Sequence, residues 1–100
     1  MAFKEIVYKI ISQVPRGKVL TYGRVAIISG LKSPRVVGNI LHKNTDPENI
    51  PCHRVVNSKG EVADNFVFGG VKGQIEKLVR EGITIDNGRV DLDRYIWEPD

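Results

Sequence analysis

Cys52 is the only cysteine in the chain, and His53 follows it directly in the run Pro51-Cys52-His53-Arg54-Val55-Val56. Sulfur attacks as the thiolate, and a free cysteine with a pKa near ~8.5 is mostly protonated at neutral pH. An imidazole close by can take the thiol proton, so the pair has the residue types of an activated nucleophile. The same residues also suit a plainer role, because a small thiol in a reduced interior packs as an apolar side chain. Residue types alone leave both readings open.

The chain offers one domain to hold that pair. One hundred residues suffice for a modest core and leave none for a second domain. A hydrophobic fraction of 41% and a charged fraction of 27% are those of a soluble globular protein. A single cysteine cannot close an intramolecular disulfide, which fits a reducing compartment. The start Met1-Ala2-Phe3-Lys4-Glu5 lacks the apolar run of a signal peptide, and no stretch reaches membrane-spanning length. A cytoplasmic location is expected. The net charge of +3 is compatible with a polyanionic partner without requiring one. Its distribution is more telling: Arg16, Lys18, Arg24, Lys32, Arg35, Lys43 and Arg54 stand against only Asp46 and Glu48 between residues 16 and 54. Such a basic half is the footprint of a nucleic-acid face, and equally of a solvated surface of mixed charge.

Periodicity supplies the elements. Phe3, Ile6, Val7, Ile10, Ile11 and Val14 recur at three- and four-residue spacing, which predicts an amphipathic helix ended by Val14-Pro15-Arg16-Gly17. Thr21 suits the N-cap of a short helix carrying Val25, Ala26 and Ile28, with Gly30 as its stop. Ser33-Pro34 reads as the N-cap and first-turn proline of a second helix running to about Lys43. Two helices joined by a glycine-containing turn form a helix-turn-helix. Beyond His53, Arg54-Val55-Val56 and Glu61-Val62 around Asn57-Ser58-Lys59-Gly60 predict a hairpin or wing. A helix is expected from Gly70 to Glu81, with Val71, Ile75, Leu78 and Val79 on one face, and a hairpin at Asn87-Gly88. The expected fold is α+β: a compact, winged helix-turn-helix-like domain with small β-hairpins.

Three residues of the helix pair stand out. Arg35 lies in a first turn, where the helix dipole disfavours a cation, so it is either an inconsequential exposed arginine or one that projects toward phosphate or a base stack. Gly38 costs about 1 kcal/mol relative to Ala inside a helix, and close approach of another backbone would compensate. Tyr22 opens the preceding helix and either packs against it or presents its ring and hydroxyl to a docked duplex.

Pro51-Cys52-His53-Arg54-Val55-Val56 resembles the active-site signature of the O6-alkylguanine-DNA alkyltransferases, the methylated-DNA–protein-cysteine methyltransferases. Gly17-Lys18-Val19-Leu20-Thr21-Tyr22-Gly23 resembles that family's glycine-to-tyrosine segment, and Ser33-Pro34-Arg35-Val36-Val37-Gly38 its arginine-bearing recognition helix. Asn44 falls at the family's distance before the cysteine, and Gly69-Gly70 and Glu81-Gly82 stand at the family's separation. The resemblance spans Phe3 to Gly82. It implies a monomer that binds double-stranded DNA in the minor groove, flips an alkylated guanine out, and takes the alkyl group once, with no cofactor. It implies roles as well: Cys52 the acceptor, His53 its base through a bound water, Glu81 the carboxylate orienting the histidine, and Asn44 the brace of the active-site turn. Tyr22 would help rotate the nucleotide and Arg35 fill the vacated stack, with Thr21, Ser33 and Gly38 beside them on the DNA-binding side. Val55, through its carbonyl, and Phe66, Phe68, Gly69 and Gly70 would form the substrate pocket.

The sequence also departs from that family. It begins at the helix before the helix-turn-helix, so the family's usual N-terminal domain is expected to be absent, leaving residues 1–100 as one DNA-binding and active-site domain. The run Ala63-Asp64-Asn65-Phe66-Val67-Phe68-Gly69-Gly70 is bulkier than the family's pocket loop, and the serine often found there has no counterpart. Thr45-Asp46-Pro47-Glu48-Asn49 is more acidic than the family's Pro-rich segment. Two alternatives therefore accompany alkyl transfer. One is an alkyltransferase-like protein that binds and flags lesions, a class that typically replaces the cysteine retained here. The other is a winged-helix DNA-binding module with a structural cysteine. No metal site is expected, since Cys52, His42 and His53 fall short of a tetrahedral set without carboxylate help.

Overall fold

The computed structural model describes residues 2–63 and 66–98. Three helices, α1 (Phe3–Ser12), α2 (Tyr22–Ser29) and α3 (Pro34–His42), pack on one another, and a two-residue strand β1 (Leu20–Thr21) leads directly into α2. The local signals for this half operate as their chemistry requires. The Thr21 side chain accepts from the Arg24 amide and the Ser33 side chain from the Arg35 amide, while Gly30 ends α2 in the left-handed conformation at φ 78°. Helix α1 stops two residues before Val14, which nevertheless remains buried in the core.

A one-turn 3₁₀ helix (Cys52–Arg54) follows and runs into strand β2 (Val55–Val56). Here the expected wing is not what forms. β2 pairs in parallel with β1, Leu20 opposite Val55 and Thr21 opposite Val56, instead of folding back on Glu61-Val62. The reason lies in Asn57, whose Oδ1 accepts from the amides of Lys59 and Glu61 at 2.9 Å each, curling the chain into a side-chain-closed turn. Glu61 then bridges to Arg89, and the Val90 amide donates to the Gly60 carbonyl at 2.8 Å.

Helix α4 (Gly70–Arg80) is followed by β3 (Ile85–Asp86), β4 (Arg89–Val90) and α5 (Leu92–Tyr95). The β3–β4 hairpin forms as expected, with Asn87 at φ 53° and Gly88 at φ 73°, both in the region that a tight two-residue turn needs. The buried stripe of α4 differs from the expected one. Gln74 and Leu78 face the interior, whereas Val71 and Val79 are exposed, so a polar residue occupies the position that the apolar pattern assigned elsewhere. Among the described residues no helix is long and apolar enough to cross a membrane.

The parallel pair β1–β2 separates two cores. Alternation along an extended chain sends Leu20 and Val55 into the cluster built on α1–α3, and Val19 and Val56 into a second cluster with Leu78, Ile83, Val90 and Tyr95. The end of the chain completes this small sheet: the Val19 amide donates to the Tyr95 carbonyl at 3.0 Å, and the Trp97 amide to the Val19 carbonyl at 2.8 Å.

Candidate active site and groove

Cys52 opens the 3₁₀ turn, its amide donating to the Ile50 carbonyl at 2.7 Å, and it forms part of the first core while reaching a surface groove. Asn44 shapes the approach. It is almost fully buried, its Nδ2 donates to the Ile50 carbonyl at 2.9 Å, and its Oδ1 accepts from the Asp46 amide at 2.9 Å. Both ends of one amide are thus spent on the loop before the thiol. Burial pushes the Cys52 thiol up from its ordinary pKa, against the opposing pull of Asn44, the turn's own backbone and the Lys77 charge. At rest the sulfur is a thiol.

The groove encloses about 730 Å³. Tyr22 and Gly23 contribute from the start of α2, and Pro34, Arg35, Gly38, Asn39 and His42 from the exposed face of α3. Cys52 lies on the same groove, and Asn57, Ser58, Ala63, Phe66 and Val67 line it as well. Tyr22, Arg35, Gly38 and Cys52 are therefore brought together although the sequence spreads them over three elements. A Cβ on Gly38 would meet no protein atom within 4 Å, so the helix is open there to something outside the chain.

The other expected residues divide. Thr21 and Ser33 act as helix caps and are not on the groove. Phe66 lines it, and Phe68 stands behind in an edge-to-face contact, ring centroids 5.8 Å apart. Gly69 and Gly70 serve the start of α4 rather than the wall, and Val55 is fully buried in the first core. The part of the expected pocket loop at residues 64 and 65 lies outside the described residues.

Behind Cys52, His53 turns away from the groove toward Glu81. Its Nε2 lies 3.0 Å from Glu81 Oε2, yet off the axis that a hydrogen bond needs, and neither ring nitrogen has a partner among the described residues. Burial lowers the imidazole pKa more than the Glu81 carboxylate raises it, so His53 is neutral near pH 7. The carboxylate is claimed chiefly by Arg54, whose Nε donates to Oε1 at 2.8 Å and whose Nη2 donates to Oε2, while Nη1 donates to the Val14 carbonyl at 2.8 Å. Burial pushes the Glu81 carboxyl up, but the hydrogen bonds from Arg54 and the neighbouring His53 ring outweigh it and hold the pKa below the ordinary glutamate value. Glu81 was expected to serve the histidine; it serves the arginine first.

Sequence reasoning missed Arg54 and Gln74. Arg54 sits inside the signature, but nothing local announces its distant partner. Gln74 is fully buried, donates through Nε2 to the carbonyls of His53 and Val55 at 3.0 Å each, and accepts from the Ala63 amide at 2.8 Å. The only available signal was its position four residues before Leu78, on the face that turned out to be the inner one.

Residues 2–83 match the family model described as 6-O-methylguanine DNA methyltransferase, DNA binding domain. Alkyltransferase-like protein 1 of Schizosaccharomyces pombe is 35% identical over 100 residues, covering 93% of this chain and 92% of that protein. Its crystal structure in complex with damaged DNA containing O6-carboxymethylguanine superposes with a TM-score of 0.87 at 31% identity, covering 97% of this chain and 95% of that one. A DNA base-flipping protein of Escherichia coli is 34% identical over 98 residues, covering 96% of this chain and 74% of that protein. A bifunctional methyltransferase/endonuclease of Picrophilus torridus is 42% identical over 89 residues, covering 88% of this chain, which spans 29% of that longer protein.

Proposed function

The chain belongs to the 6-O-methylguanine DNA methyltransferase DNA-binding-domain family, and we propose that it turns an O6-alkylated guanine out of duplex DNA into its groove and accepts the alkyl group once on Cys52. The observation that carries this is the shared groove: the chain's single thiol lies on the same surface cavity as Tyr22, Arg35 and the open Gly38 face of α3. Helix α3 supplies the docking face, and Arg35 at its first turn enters the stack that the guanine leaves. Flipping costs a few kcal/mol, less where an alkylated guanine pairs poorly, which gives selectivity before chemistry begins. The minor groove carries a degenerate code and suits scanning without sequence preference.

The transfer balances simply. The Cys52 proton leaves toward His53, and the resulting imidazolium is stabilised by Glu81. The sulfur attacks the carbon attached to O6, so an S–C bond forms as the C–O6 bond breaks with its electron pair on oxygen. The departing guanine anion takes up one proton while the imidazolium gives its proton up, directly or through solvent, leaving normal guanine, S-alkylcysteine and neutral His53. Nothing in the reaction regenerates the thiol, so each molecule acts once. The resting thiol must be ionised for this, and each pKa unit to be overcome costs about 1.4 kcal/mol.

A second reading is lesion binding without transfer. It is favoured by the buried thiol with its raised pKa, by a histidine that faces Glu81 rather than the groove, and by near-complete coverage of an alkyltransferase-like protein. Intact-protein mass spectrometry after incubation with an O6-methylguanine duplex separates the two. Transfer adds one methyl group, and Cys52→Ser abolishes the gain. Tight lesion binding with no change in mass would sink transfer and establish the second reading.

A further inference from the structure

Among the described residues Gln74 is the one polar side chain with no exposure at all, and its three bonds join the Cys52 turn to Ala63, further along the chain. On one side its amide nitrogen donates to the carbonyl of His53, inside the 3₁₀ turn carrying the thiol, and to that of Val55, just after the turn. On the other, its amide oxygen accepts from the amide of Ala63, which lines the groove together with Phe66 and Val67. Every hydrogen of the Nε2 group and one lone pair of Oε1 are used. A buried amide is expensive to leave unsatisfied, and this one is satisfied on both ends at once.

We propose that Gln74 is a positioning residue that sets the distance between the nucleophile and the groove wall, the donors holding the Cys52 turn and the acceptor holding the wall. Among the described residues the backbone of the stretch from Ala63 to α4 is otherwise tied only to itself and to the start of α4, the Phe66 amide donating to the Ala63 carbonyl at 3.4 Å and the Gly70 amide to the Phe66 carbonyl at 2.9 Å. The Ala63 amide has Gln74 as its hydrogen-bond partner, and the carbonyl of Phe68 is fixed instead by close approach to Gly73, where a Cβ would lie 2.5 Å from it. Because the two ends of the amide differ chemically, they can be removed separately. A glutamate keeps the acceptor for Ala63 and turns an oxygen without hydrogens on the two carbonyls. A lysine keeps donors toward the carbonyls and offers nothing to Ala63.

The proposal rests on the groove being the lesion site only for the choice of DNA probe; the thiol measurement stands without it. Gln74→Glu should change the rate at which iodoacetamide labels Cys52 by about tenfold or more, and Gln74→Lys by less than about twofold. Conversely, Gln74→Lys should lose about tenfold of the preference for an O6-methylguanine duplex over an undamaged one. In the unsubstituted protein the Ala63 amide should exchange slowly with deuterium, which needs no variant to fold. Equal effects of both variants on both readouts, no effect of either, or fast exchange at Ala63 would overturn the assignment. A wild-type protein that fails to prefer the lesion would refute the functional reading instead, while labelling and exchange still decide the role of Gln74.

Discussion

Arg54 grips Glu81 from two points, its Nε and Nη2 donating to separate oxygens of one carboxylate that is almost wholly removed from solvent. Fork-to-carboxylate pairing is the geometry that repays desolvation best, and the remaining Arg54 nitrogen is spent on the Val14 carbonyl. The pair therefore ties the end of α4 to the turn after the nucleophile and to the loop after α1. Removing only Arg54 strands a buried carboxylate and should destabilise the fold by about 3–5 kcal/mol. Urea unfolding of Arg54→Met, Glu81→Met and the double variant checks this: the double variant should lose less than the sum of the two.

Acidity should act on the same cluster. His53 has a lowered pKa in the folded chain, because burial favours the neutral ring, so the unfolded chain binds the extra proton first. Stability should begin to fall below about pH 6.5, the unfolded histidine value. Glu81, also lowered, adds a further loss below about pH 4.3. Cys52 acts in the opposite sense: its raised pKa stabilises the fold below the unfolded thiol value and is lost as pH rises above about 8.5. The pH–stability curve should be a dome, and His53→Gln should flatten its upper acid shoulder. An unchanged shoulder in that variant would remove His53 from the explanation.

At Gly38, stability and function should part. The added methyl of Gly38→Ala meets no atom of the chain and should stabilise α3 by up to about 1 kcal/mol. The same methyl occupies the face proposed for DNA, so affinity for duplex should fall. Thermal unfolding and fluorescence anisotropy on one preparation test both halves. A variant that gains stability and keeps its affinity would show that DNA does not approach this face.

Arg35 is exposed at the first turn of α3 and lines the groove, with its own amide held by the Ser33 cap. Arg35→Ala should therefore leave the helix intact while weakening lesion binding, and a fluorescent base analogue opposite the lesion should report less unstacking. Arg35→Lys should restore phosphate attraction but little of the flipping signal, since an ammonium lacks the planar group that can fill a stack. Unchanged flipping in Arg35→Ala would end the role proposed for this side chain.

What could be read from the sequence was what local chemistry decides. The caps at Thr21 and Ser33, the stop at Gly30 and the turn at Asn87-Gly88 each depend on one or two residues and their immediate neighbours, and all formed as expected. The wing did not form because the Asn57 side chain closes a local turn while Val55-Val56 pairs with Leu20-Thr21, a long-range pairing that alternation alone does not reveal. Arg54 and Gln74 escaped for a related reason. Their importance lies in partners distant along the chain, and the general preference of both residue types for the surface argues against burial. Of the residues that the resemblance named, Tyr22, Arg35, Gly38, Cys52 and Phe66 share the groove, whereas the network behind them was illegible in the sequence.

The two-residue ladder between β1 and β2 has one more meaning. Tyr22 begins where β1 ends and Cys52 lies three residues before β2, so the ladder makes the docking helices and the thiol parts of a single stiff template. The surface that would meet the duplex and the turn that carries the sulfur are joined through this paired backbone. Under the proposed function, geometry would be built in before DNA arrives and the burden of movement would fall on the nucleotide, with the protein as a mould into which the substrate is bent.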